Sequence, residues 1–292
     1  MAVYEHSYQP YAGAKTPEWS RWLILPRYAY QDVFSSRFFT ALFALSFAPV
    51  LVAAILIYLH HNSSALTMME ITVSDIISIN GAFFRRLMSV QVNFAALLTV
   101  IIGPVLISRD LTNNALPLYL CRPFSRAEYV IGKMAVLVIL LSVITWIPVM
   151  LLFGFQCVLE GATWIRENLW IGVAVLVNSW TWILLLSLLS TALSALIKWR
   201  LAASGALFAF FMIPIPVATV ISIQLKTAWG FMLAPAFVMH RLQEYLFRTP
   251  TTFTVRGAGG VPATPAWIMF GLICAVSLFV LTRRVRAYEV IR

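Results

Sequence analysis

Six long apolar stretches restrict the fold of this 292-residue sequence more than any other feature. Each is close to the roughly 20 apolar residues that a helix needs to cross the hydrocarbon core of a bilayer. No Asp, Glu, Lys, Arg or His lies inside any of them. We therefore predict an all-α polytopic membrane protein with six transmembrane helices. The predicted spans are residues 38–59, 87–107, 134–155, 171–196, 201–223 and 266–282.

The composition agrees with a membrane bundle and excludes two other classes. Hydrophobic residues make up 61% of the chain and charged residues 11%, whereas soluble domains are about 45–50% apolar and about 25% charged. A soluble enzyme of this composition would expose large apolar patches, and a disordered chain would not have so much apolar surface to bury. The three cysteines, Cys121, Cys157 and Cys274, show neither metal-site spacing nor a disulfide framework.

The distribution of basic residues predicts the orientation in the membrane. Fourteen of the 21 Lys and Arg residues fall on the side that holds both chain ends, and seven fall on the other side. Because cytoplasmic loops are enriched in Lys and Arg, we predict cytoplasmic N- and C-termini in a multi-pass protein of the cell (inner) membrane. The net charge of +10 is then a topology signal, and we expect no nucleic-acid partner.

The segments outside the core spans divide into two predicted units. Residues 1–37 are a cytoplasmic N-terminus with an amphipathic interfacial helix at 19–37. Pro26 either kinks this helix or begins a shorter one at about residue 26. Residues 38–292 form the six-helix domain. Its outer segment, 224–265, contains an apolar stretch too short to span, interrupted by Pro235. We predict a re-entrant or interfacial helical hairpin there, before the last span.

Two further features lie within the spans. Pro214 and Pro216 predict a break in the fifth span, which is either a hinge or an incidental kink. The fourth span carries small residues four apart, which let helix backbones approach closely. They serve packing within one subunit or, less favoured, a dimer seam. These small residues are Ser187, Ser190, Thr191, Ser194 and Ala195.

The spans lack the buried ionisable residues through which ion-coupled carriers usually work. The chain also lacks the phosphate-binding sequence G-x-x-x-x-G-K-[ST], because Gly132-Lys133 is followed by Met. A transporter of this kind would need a motor on another subunit.

The loop between the second and third spans, residues 108–133, is the most informative segment. It is basic, and Ser125 is placed to cap the helix that enters the third span, with Glu128 completing a capping box. Two interpretations remain open from spacing alone: a compact surface for docking a soluble partner, or a simple chain reversal.

The loop resembles the signature of ABC-2 type transporter permeases, in which an acidic residue and leucines precede Pro-x-Ser-Arg and a Lys. Asp replaces the more usual Glu, and Asn114-Ala115 stands where Gly-Thr is usual. The entry helix, the six spans and the long outer segment extend the resemblance over nearly the whole chain. The matching residues are Asp110, Leu118, Leu120, Arg122, Pro123, Ser125, Arg126 and Lys133.

The resemblance implies a permease subunit of an ATP-driven exporter. Two permease chains, identical or different, would form the pathway, and two copies of a separate ATPase would dock on a coupling helix at about 111–126. ATP and Mg would bind to the ATPase, so this chain would hold no cofactor or metal and would not be an enzyme. Lys198 and Arg200 are a possible second ATPase contact, or only a topology anchor. Accessory periplasmic or extracellular proteins are further possible partners.

Two other functions are alternatives to the exporter subunit. A non-transporting membrane anchor or sensor would recruit the same ATPase through the same loop. An intramembrane hydrolase would need a catalytic site, and the nearest candidate is His240 with Glu244 at i, i+4. That pair lacks a second His on the same helix, so a structural His–Glu pair is the favoured interpretation.

Overall fold

A computed structural model describes residues 23–62, 78–113, 126–252, 254 and 260–284. Every regular element in these ranges is a helix. Six helices are long and apolar enough to cross a membrane, which confirms the predicted all-α architecture and the number of spans. We call these helices spans 1 to 6; their candidate membrane-crossing segments are Arg37–His61, Gly81–Ser108, Ala127–Glu160, Ala162–Leu196, Arg200–Gln224 and Ala263–Arg284.

Spans 3 and 4 are longer than the apolar stretches predicted. Only Gly161 separates them, with φ at 88°, a value that L-residues with a side chain rarely adopt. The helices continue through polar residues at their ends because extending a helix adds one hydrogen bond per residue. The predicted limits, 155 and 171, marked the end of apolar composition rather than the end of the helix.

Span 2 also begins earlier than predicted, at Gly81, and its helix runs to Thr112. Asn80 caps this helix: its Oδ1 accepts hydrogen bonds from the backbone N–H of Ala82 at 2.9 Å and of Phe83 at 3.3 Å. The longer spans bring ionisable residues such as Arg85 into their end turns.

Three spans are interrupted just before a proline. Span 1 consists of helices Arg37–Leu45 and Ala48–His61, span 3 of Arg126–Ile144 and Trp146–Glu160, and span 5 of Arg200–Met212 and Pro214–Gln224. Proline lacks the N–H that would continue the helix and clashes with the preceding turn. The predicted break at Pro214 and Pro216 is confirmed.

Spans 2, 3 and 4 form the centre of the bundle. More than half of the apolar window of each is buried, against 17–22% for spans 1, 5 and 6. Phe84, Leu98 and Leu141 are fully buried in the centre, whereas Leu51 and Phe279 on the peripheral spans are about 60% exposed. Apolar surface of this extent suits a lipid environment.

The entry helix runs from Ile24 to Phe34, with Pro26 in its first turn, where its missing N–H has no helical acceptor to lose. Its apolar side packs on the core, and the Tyr30 hydroxyl donates to the carbonyl of Val136 in span 3 at 2.7 Å. Arg27 on the other side is exposed. The helix is amphipathic, as predicted; the part of 19–37 before residue 23 lies outside the described residues.

Two short helices connect spans 5 and 6. A 3₁₀-helix spans Ala228–Leu233, and an α-helix spans Pro235–Leu246, which we call the short helix. The division falls at Pro235, as the sequence predicted. Gln243 Nε2 of the short helix donates to the carbonyl of Arg85 in span 2 at 3.0 Å, so this helix is attached to the start of span 2.

Candidate functional site

The predicted site residues between spans 2 and 3 fall into two groups. Asp110 lies in the last turns of the span 2 helix, Arg126 is the first residue of the span 3 helix, and Lys133 lies two turns further on. Leu118, Arg122, Pro123 and Ser125, with the middle of the predicted coupling helix at 111–126, lie outside the described residues.

Asp110 and Lys133 form an ion pair between the ends of two spans. Lys133 Nζ lies 2.7 Å from Asp110 Oδ2, and each side chain is only 12% exposed. The hydroxyl of Tyr129 donates to the same carboxylate oxygen at 2.7 Å, and the tyrosine is fully buried. We call these three residues the Asp110 network.

Local helix geometry explains how the Asp110 network assembles. Tyr129 and Lys133 are four residues apart on one helix, so their side chains share a face, and Lys133 Nζ lies 5.6 Å from the centre of the Tyr129 ring. The Asp110 carboxylate accepts from both donors, and hydrogen bonds to an ionised group are among the strongest in proteins. The network fixes the end of span 2 against the start of span 3.

A second connection joins span 2 to the turn between spans 4 and 5. The Thr112 hydroxyl lies 3.0 Å from the backbone carbonyl of Lys198 and 2.8 Å from that of Ser108. Lys198 thus contributes its backbone here, while its side chain and that of Arg200 are exposed. The same end of the bundle therefore holds Asp110, Lys133, Lys198 and Arg200. We call it the Asp110 end, and the opposite end the Arg85 end.

Spans 2 and 4 approach closely along the small residues of span 4. Ser187, Ser190, Thr191 and Ser194 are fully buried within the single chain, which agrees with the favoured prediction of packing within one subunit. Ser194 contacts backbone atoms on both sides of the turn that follows Pro104 in span 2.

The His240–Glu244 pair lies at the Arg85 end, on the short helix. His240 Nε2 is 3.8 Å from Glu244 Oε1, and Arg241 Nη1 is 3.7 Å from Glu244 Oε2. The backbone N–H of Thr252 donates to Glu244 Oε1 at 2.8 Å. The buried carboxylate therefore holds the chain after the short helix, which supports the structural interpretation of this pair.

Burial lowers the pKa of His240 below its usual 6.5; the Glu244 carboxylate opposes this shift and the positive charge of Arg85 adds to it. Within the described ranges, no three His, Cys, Asp or Glu side chains come together as a metal site.

Sequence reasoning missed Tyr129 and Thr112 as members of the site. The signal for Tyr129 was its spacing of four residues before Lys133, which places both side chains on one face of the helix that follows the basic segment. Thr112 carried no such signal, because its partner is a backbone carbonyl 86 residues away.

The sequence was compared with protein-family models and with characterised proteins. No family model matches the chain, and no characterised protein matches it significantly.

Proposed function

We propose that this chain is the membrane permease subunit of an ATP-binding cassette exporter. The observation that carries the proposal is the Asp110 network, which joins spans 2 and 3 at the base of the basic segment between them. A displacement of that segment would move spans 2 and 3 together, because a buried carboxylate with two charge-assisted contacts resists separation of the two helices. This is what a docking loop on a transporter requires.

In this proposal the energy comes from a separate ATPase present in two copies, which binds ATP and Mg. The chain itself is not an enzyme. Two permease chains form the pathway in the cell (inner) membrane, with both termini and the Asp110 end in the cytoplasm. The connecting segment, including Arg122 and Arg126, seats in the ATPase. Lys198 and Arg200 add a second contact, and Pro214 and Pro216 act as a hinge in span 5.

At the opposite end, the 3₁₀-helix and the short helix form a re-entrant hairpin that closes the outer mouth. The attachment of Gln243 to the backbone of span 2 supports this role, because a movement of span 2 would displace the hairpin as well. Accessory proteins outside the membrane would meet this surface.

Charge reversal at Arg126 tests the coupling. The chain is purified from its native membrane in mild detergent, and Mg-ATP hydrolysis by the purified material is measured. We expect Arg126→Glu to remove the co-purifying ATPase or to leave ATP hydrolysis without transport. Arg166→Glu is the matched control, because Arg166 is an exposed arginine in the first turns of span 4 at the Arg85 end.

Membrane insertion and a single symmetric peak in size-exclusion chromatography establish that both variants are folded. Normal transport together with undiminished ATPase binding by Arg126→Glu would reject the coupling model. An ATPase that binds to the chain, but whose ATP hydrolysis never responds to substrate, would instead identify a non-transporting anchor or sensor.

A further inference from the structure

A long apolar cleft lies between spans 1 and 2. Its volume is about 500 Å³, within the range of about 300–1,000 Å³ that is usual for ligand sites. Arg86 is the one charged residue that lines it among those the structure describes. The other lining residues are apolar: Leu45, Ala48, Pro49, Val52, Ala53, Leu56, Phe83, Leu87, Val90 and Phe94.

The interruption of span 1 contributes to the cleft. The helix ends at Leu45 and resumes at Ala48, and Leu45, Ala48 and Pro49 all line the far end of the cleft from Arg86. Small side chains at Ala48 and Ala53 leave space between the two spans. The cleft thus follows from the local backbone break and from the residue sizes on span 1.

The dimensions match one leaflet of a bilayer. Spans 1 and 2 are antiparallel, so Leu56 lies near Arg86 and Leu45 lies near Phe94. At 1.5 Å per residue, the helix from Arg86 to Phe94 rises about 12 Å, and the helix segments from Leu45 to Leu56 about 16 Å. Half of a hydrocarbon core of about 30 Å is about 15 Å.

The positive charge of Arg86, at one end of the cleft, favours an anionic ligand. Arg86 lies five residues after the start of the helix, near one end of span 2, and is exposed. Among the described residues, no acidic side chain lines the cleft. A guanidinium group pairs with phosphate oxygens through two parallel hydrogen bonds.

We propose that this cleft binds an anionic phospholipid, with one acyl chain along spans 1 and 2 and the headgroup phosphate at Arg86. The proposal depends on membrane insertion alone, and it stands or falls separately from the exporter function.

Native mass spectrometry of the delipidated, purified chain provides the test, with phosphatidylglycerol or phosphatidylcholine of identical acyl chains added in turn. We expect phosphatidylglycerol to bind more tightly. Arg86→Gln is expected to weaken its binding about tenfold, since a hydrogen bond to a charged group contributes roughly 1.5–3 kcal/mol, and to remove the preference between the lipids. Arg166→Gln, at an exposed arginine of the same end outside the cleft, should bind like the wild type.

A second pair of variants tests the apolar part of the site. Val90 lines the cleft and is 41% exposed, so Val90→Trp fills the space from its open side; Val217, 52% exposed on span 5, provides the control Val217→Trp. Val90→Trp should weaken binding of both lipids at least tenfold, and Val217→Trp should not.

Three results would overturn the proposal. One is equal affinity for the two lipids in the wild type, and another is unchanged phosphatidylglycerol binding in Arg86→Gln. The third is a dimer mass that Val90→Trp abolishes while lipid binding persists, which would assign the cleft to a second copy of the chain.

Discussion

Ser194 joins span 4 to the turn of span 2 that begins at Pro104. Its hydroxyl donates to the carbonyl of Pro104 at 2.7 Å and accepts from the backbone N–H groups of Ile107 at 3.1 Å and Ser108 at 2.8 Å. These groups lie in the turn of span 2 that begins at Pro104, whereas the N–H that Pro104 lacks would have bonded to the carbonyl of Val100, one turn earlier. Span 2 continues as one helix through Pro104, whereas spans 1, 3 and 5 are interrupted before their prolines.

We expect Ser194→Ala to lower the free energy of unfolding by about 0.5–1.5 kcal/mol, because it removes the buried hydrogen bonds of this hydroxyl between spans 4 and 2. Ser187→Ala is the control, since the buried Ser187 hydroxyl bonds only to Leu184 of its own helix among the contacts described. Thermal unfolding in detergent measures both. Equal losses in the two variants would show that Ser194 has no special role across the two spans.

His240 gives the fold a pH dependence. Its pKa is lowered in the folded chain, chiefly by burial, so the unfolded chain binds a proton at a higher pH than the folded chain does. Stability is therefore greatest with His240 neutral and falls as the pH decreases through about 6.5.

We expect His240→Gln to lose stability less steeply than the wild type between pH 7 and pH 5. The measurement is the unfolding midpoint across this range, compared between the two proteins. Parallel curves would mean that other groups determine the pH dependence.

The contact between spans 2 and 4 depends on the absence of a side chain at Gly103. A Cβ at this position would overlap the Ser190 hydroxyl oxygen and come within 2.8 Å of the Ser190 Cβ. Gly205 on span 5 is different, because a Cβ there would meet no atom of the described structure within 4 Å. The two glycines thus form a matched pair of helix positions, one in a helix contact and one facing outward.

Gly103→Ala is expected to destabilise the chain by about 1–3 kcal/mol through overpacking. Gly205→Ala should be neutral or stabilising by up to about 1 kcal/mol, because alanine favours helix more than glycine does. Adding Ser190→Gly to Gly103→Ala should restore part of the loss. If the double variant is no more stable than Gly103→Ala, the Ser190 contact is not the cause.

The predicted orientation of the bundle in the membrane is based on the unequal distribution of Lys and Arg between its two ends. The Asp110 end carries Lys198 in an exposed turn, and the Arg85 end carries the exposed Arg166. Single cysteines at these two positions, in a chain with Cys121, Cys157 and Cys274 replaced by serine, report which side each end faces.

We expect a membrane-impermeant maleimide to label Arg166→Cys in intact cells and Lys198→Cys only after permeabilisation, because the richer basic side stays in the cytoplasm. Labelling of Lys198→Cys in intact cells would reverse the topology and would reject docking of a cytoplasmic ATPase at the Asp110 end.

The sequence alone determined the number of spans, the amphipathic entry helix and the breaks at Pro214 and Pro235. These features are local: hydropathy over about 20 residues and the missing N–H of proline act on the chain wherever it lies. The end of span 3 and the start of span 4, near Gly161, were harder to predict, because both helices continue beyond the apolar residues from which they were predicted.

Only the tertiary structure decided which distant residues meet. The resemblance made Asp110 a candidate site residue, but its pairing with Tyr129 and Lys133 depends on how the span 2 helix ends beside span 3. The same holds for Ser194 beside Pro104 and for the cleft that ends at Arg86. Such contacts join residues on different helices, and their geometry follows from helix packing, to which residues far apart in the sequence contribute together.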